Sequence, residues 1–106
     1  MEMPREKKRA PANAVHPGEV LREEFLVPLG LKAAELARRL HVPVPRVNDI
    51  VRERRAISAD TAMRLARYFG TSPDLWMGLQ TEYELRLAAA NAAEIRKITP
   101  RSEDAA

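Results

Sequence analysis

The stretch AELARRLHVPVPRVNDIVRERR, residues 34–55, decides the fold. It reads as two short helices joined by a tight turn, one from about Lys32 to Leu40 and the other from about Val44 to Glu53. Two helices that cross steeply can place the second in the major groove of duplex DNA. Such a crossing needs a small residue at the point of contact, and Ala37 supplies it. Leu36, Leu40 and Val42 fill the wedge from one side. Val47 and Ile50, three apart on one helix face, fill it from the other. Most of the remaining second-helix positions, Val44, Pro45, Arg46, Asn48, Asp49 and Arg52, then face outward, where a reading surface belongs.

Three residues of this stretch run against simple propensity. His41 stands at the turn, where glycine is usual. A left-handed backbone there costs on the order of 1 kcal/mol more than with glycine, and His is among the residues that adopt it. Pro43 and Pro45 are tolerated because first-turn amides have no intrahelical acceptor. Each removes an amide that could have held a phosphate, and Pro43 offers no side-chain cap.

Working outward, the net charge of +3 is unevenly spread. Residues 38–55 carry six basic and two acidic groups, and residues 1–14 carry four basic and two acidic. A basic patch concentrated in one folded segment is the footprint of a phosphate-facing surface. Charge alone would also fit an ordinary solvated face.

Three further helices flank the pair. The first opens at Pro17 and Glu19, presents Val20, Leu21 and Phe25 on one face, and is ended by Pro28 and Gly30. The fourth starts at a Ser58 cap with Asp60 in its first turn and ends at Gly70. The fifth is capped by Ser72 with Pro73 at its first position. Trp76, Leu79, Tyr83 and Leu87 share one of its sides. The Ala-rich stretch Ala88–Ile98 either extends that helix or frays. No strand signal or internal repeat stands out. The expected fold is all-α, with five helices in one domain over residues 15–90 and the helix-turn-helix at about 33–52. A flexible basic arm is expected at 1–14, and a partly helical or disordered extension at 91–106.

Asn48 and Arg46 are the leading candidates for base reading, since Asn pairs bidentately with adenine and Arg with guanine. Phosphate contact is an equal reading for Arg46. Asp49 could accept from cytosine, but orienting a neighbouring arginine or excluding wrong bases is favoured. Val44 and Pro45 either touch thymine methyls or set the helix angle. Lys32, Arg52, Arg54 and Arg55 are the candidate phosphate contacts. Leu85, Leu87, Ile95 and Ile98 make the C-terminal stretch too apolar for a solvated tail, and suggest a dimer contact first and another partner second. His16 reads as a packing or capping residue. With no cysteine and only two histidines, far apart, a metal site is not expected. Nothing suggests a cofactor, a catalytic pairing, a signal peptide or a membrane span, and the chain fits a cytoplasmic setting.

The pattern resembles the lambda-repressor-like, Xre-type helix-turn-helix family, and more narrowly the HigA antitoxins of type II toxin–antitoxin pairs. The resemblance is carried by His16-Pro17-Gly18-Glu19, Leu29-Gly30-Leu31, Arg46-Val47-Asn48-Asp49-Ile50 and Arg54-Arg55. It continues through Asp60-Thr61-Ala62, Arg64-Leu65-Ala66, Phe69-Gly70-Thr71-Ser72, Trp76 and Leu79-Gln80. It implies a homodimer on a palindromic operator in its own promoter. It also implies neutralisation of a HigB-like toxin, a ribosome-dependent mRNA endonuclease. Many members begin the first helix of the motif with Ser or Thr and a polar residue, where this chain has Lys32 and Ala33. The cap that is often Ser is here Pro43. A stand-alone Xre-type regulator without a toxin is the alternative, and a protein-interaction module that has lost DNA binding ranks third.

Overall fold

The computed structural model describes residues 10–104. The arm expected at 1–14 falls largely outside them. Of that arm, residues 10–14 include a turn in which the Ala14 amide donates to the Pro11 carbonyl at 3.0 Å.

Helix α1 spans residues 17–29 as three continuous pieces, Pro17–Val20, Leu21–Leu26 and Val27–Leu29, with a π turn in the middle. Pro28 has no amide for the Glu24 carbonyl, and its ring would crowd that carbonyl in a regular helix. The wide turn ends just ahead of it, with the Val27 amide reaching back to the Arg22 carbonyl. Gly30 closes the helix at φ 63°. His16 caps the other end, its Nδ1 accepting from the Gly18 amide at 2.8 Å.

Helices α2 (Ala33–Leu40) and α3 (Val44–Val51) form the helix-turn-helix. His41 takes the left-handed conformation at φ 61°. Its amide donates to the Arg38 carbonyl and the Val42 amide to the Ala37 carbonyl, so the turn closes without glycine. Neither helix has a side-chain cap at its start, where Lys32 and Pro43 stand. Helix α3 ends two residues sooner than the pattern suggests. Glu53, at φ 62°, terminates it through Glu53 amide to Ile50 carbonyl and Arg54 amide to Asp49 carbonyl bonds, both 2.8 Å. No glycine marks that stop in the sequence.

Helix α4 (Ala59–Phe69) starts at Ser58, whose hydroxyl accepts from the Thr61 amide, and ends at Gly70. Helix α5 (Pro73–Ala90) starts at Ser72, whose hydroxyl accepts from the Leu75 amide. It stops at Ala90, so only the first three residues of the Ala88–Ile98 stretch belong to it. A 3-10 turn at Ile95–Lys97 and a short helix α6, Arg101–Asp104, follow within the extension expected to be partly helical or disordered.

Helix α2 packs on α3 and α4, α4 on α5, and the start of α1 on both α3 and α5. The core is Leu21, Leu26, Leu36, Ala37, Leu40, Val47, Ile50, Ile57, Ala62, Leu65, Ala66 and Trp76. It contains every wedge residue read from the motif except Val42, which packs against it half-buried. Phe25 bridges Phe69 and Trp76, with ring centroids 4.8 and 5.1 Å away. Trp76 is fully buried and donates its indole N–H to Thr71 Oγ1 at 2.9 Å, satisfying its polar edge. No described helix is long and apolar enough to cross a membrane.

Candidate nucleic-acid interface

Helix α3 presents two faces. Val47 and Ile50 are buried against α2. At 3.6 residues per turn, the opposite side is centred on Pro45 and Arg52, with Val44, Asn48 and Asp49 beside them. Val44, Pro45 and Arg52 are exposed, and Asn48 and Asp49 are half-buried. Among the described residues the Asn48 amide group makes no hydrogen bond within the chain, so its donor and acceptor are both open to a base edge. Arg46 sits where the outer face meets the packed one.

The basic groups divide into held and open. Arg46 Nη1 lies 2.5 Å from Asp60 Oδ2 on α4. Arg55 Nη2 lies 3.6 Å from Asp49 Oδ2, a loose ion pair without a hydrogen bond. Arg38 and Arg39 both pair with Glu35 within α2. These two hydrogen bonds hold the Glu35 carboxyl below its ordinary range. Lys32, Arg52, Arg54 and Arg67 form no ion pair among the described residues. Three of these four are residues that the sequence marked for phosphate.

Three other groups fix where this face points. Arg22 on α1 donates to the Val51 carbonyl and pairs with Glu53 at 3.2 Å, placing a cation at the negative end of α3. Arg64 on α4 donates to the Leu40 carbonyl at 2.8 Å, doing the same for α2. Gly18 lets α1 approach α3 so closely that a Cβ there would sit 1.8 Å from the Ile50 carbonyl oxygen. None of the three was marked for such a role by the sequence. Their partners are distant in the chain and leave no periodic trace. The only local hint was the i,i+4 spacing of Asp60 and Arg64.

A helix-turn-helix family model matches residues 21–76. The chain belongs to that family. This helix-turn-helix protein is 50% identical over 105 residues to virulence-associated protein I of Dichelobacter nodosus, covering 99% of this chain and 95% of that one. It is 38% identical over 78 residues to the uncharacterized HTH-type transcriptional regulator YbaQ of Escherichia coli K12, covering 74% of this chain and 69% of the other. Its fold is similar to that of Pseudomonas aeruginosa antitoxin HigA, solved with the higBA promoter. The TM-score is 0.78 at 54% identity, over 83% of this chain and 98% of that one.

The C-terminal apolar candidates of the helix-turn-helix protein are not gathered on one element. Leu87 is half-buried. Leu85, two positions earlier and so on another side of α5, is 61% exposed. Ile95 and Ile98 lie in and just after the 3-10 turn, also exposed.

Proposed function

We propose that this protein is the antitoxin of a type II toxin–antitoxin pair. In this reading it binds a palindromic operator as a homodimer, represses its own operon and neutralises a HigB-like toxin. The observation that carries the reading is the likeness, over nearly the whole of that relative, to an antitoxin solved with its promoter. The outer face of α3 supplies the chemistry. Asn48 reads one base pair, Arg46 reads or anchors beside it, and Val44 and Pro45 offer apolar contact to thymine methyls. Asp49 keeps Arg55 in place. Lys32, Arg52, Arg54 and Arg55 meet phosphates and set the register. Exposed Leu85, Ile95 and Ile98, and half-buried Leu87, are the apolar residues that a second copy or the toxin would contact.

The test is co-expression with the adjacent reading frame. A neighbour that is lethal alone and harmless beside this chain supports the antitoxin role; lethality that this chain does not relieve contradicts it. The likeness to an HTH-type transcriptional regulator favours a second reading in that event, a stand-alone repressor. Asn48→Ala separates base reading from positioning in either case. It should relax preference at one base pair per half-site, costing about 1–3 kcal/mol. Equal weakening on every sequence would assign Asn48 to positioning only.

A further inference from the structure

Arg46 reaches its place through contacts that cross three helices. Its Nη1 meets Asp60 Oδ2 at 2.5 Å. The same oxygen accepts from Arg64 Nε at 2.8 Å. Arg64 in turn donates through Nη1 to the Leu40 carbonyl at 2.8 Å and lies 3.4 Å from the His41 carbonyl. The chain of contacts therefore runs from the end of α2, through two side chains of α4, to the first turn of α3. Both hydrogen bonds keep the Asp60 carboxyl below its ordinary range, Arg64 contributing more than Arg46, so it is an anion wherever DNA is bound near neutrality.

Exposure argues against a stabilising role. Asp60 is 56% exposed, and ion pairs in that setting add little to folding. What such a pair does fix is direction. An arginine has many rotamers, and bidentate recognition of guanine needs its planar fork held in one plane. Asp60 engages one end of that fork and leaves the other N–H donors open. Asp60 also stands in the first turn of α4, where an anion meets the positive end of the helix, and that role by itself does not require Arg46 as a partner.

We propose that Asp60, braced by Arg64, is a positioning residue that sets the base preference of Arg46 without touching DNA. This rests on the reading that α3 binds operator DNA. Arg46 is thereby assigned to a base edge rather than to phosphate. Base-pair selectivity becomes a property of α4 as well as of α3.

The experiment uses the full chain and the fragment upstream of its own coding sequence, with every base pair varied in turn. Discrimination should fall about tenfold at one base pair per half-site in Asp60→Asn. The same base pair should lose its preference in Arg46→Ala, and the double variant should be no worse than Arg46→Ala alone. Asp60→Glu should recover most of the discrimination, which a merely structural role would not produce. Thermal unfolding of each variant confirms that the fold persists, and Asp60→Ser serves as a second removal of the charge. If Asp60→Asn tightens binding equally on all sequences, the carboxylate only repels phosphate and the proposal fails. It fails too if the Asp60→Asn effect survives in the Arg46→Ala background, or if Arg46→Ala keeps every base preference while the parent chain binds selectively. A parent chain without any selectivity would instead defeat the DNA-reading function itself, and this inference with it.

Discussion

The α2–α3 pair and the outer half of α5 spend similar residues in opposite ways. In the pair, Leu36, Ala37, Leu40, Val47 and Ile50 are all buried, although each helix is only eight residues long. Helices that short are not stable alone, so their geometry is imposed by α1 and α4 through Gly18, Arg22 and Arg64. Helix α5 is 18 residues long, yet beyond Gln80 it buries nothing fully, and Leu85 stands open. The contrast teaches that one region is completed within the chain while the other keeps apolar surface exposed, the surface that the proposed function assigns to a partner. A rigid frame suits a face that must match a groove. An uncovered helix suits association.

The sharpest break in that contrast comes at Gly18. Gly18→Ala drives a Cβ into backbone rather than into a movable side chain, and should cost on the order of 4 kcal/mol in denaturant unfolding. A near-neutral result would mean that α1 does not fix α3. Next, Leu36→Ala should cost about 2–5 kcal/mol at any protein concentration. Leu85→Ala should stay within about 0.5 kcal/mol at high dilution and matter only where the chain self-associates. Equal costs for the two in dilute solution would erase the distinction.

A smaller effect follows from pH. His16 is buried, which pulls its imidazole below the ordinary value against the opposing pull of Glu53, and Arg22 lowers it further. Its Nδ1 must stay unprotonated to accept from the Gly18 amide. The unfolded chain therefore binds the proton more readily. Stability is fully present above the unfolded value near 6.5 and is lost as pH falls below it. The cap that goes with it is worth about 1 kcal/mol. Melting followed from pH 7.5 to 5 should show the decline, and His16→Gln should flatten the part due to this group. The smallest change is expected at the open cations. Arg54→Ala should leave folding unchanged and lower the salt dependence of DNA binding by about one unit of slope.

Much of the fold was legible because its punctuation is local. Pro17, Ser58 and Ser72 start helices, Gly30 and Gly70 stop them, and the wedge residues of the motif keep a helical period. The stop at Glu53 was not legible, since a left-handed glutamate follows from packing and from Arg22 rather than from its own preference. The composition of the outer face of α3 was legible in the same way, as whatever Val47 and Ile50 leave outside. Its wiring was not. Arg46 finds Asp60 14 residues away and Arg64 finds Leu40 24 residues away, and no periodic signature spans those gaps.

The central claim is that the outer face of α3 and the open cations around it bind duplex DNA. Titrating salt from 50 to 200 mM against an upstream fragment tests it most directly. A dimer neutralising roughly 6–10 phosphates should lose on the order of a thousandfold or more in affinity over that range. An affinity that stays flat across the titration would contradict the account.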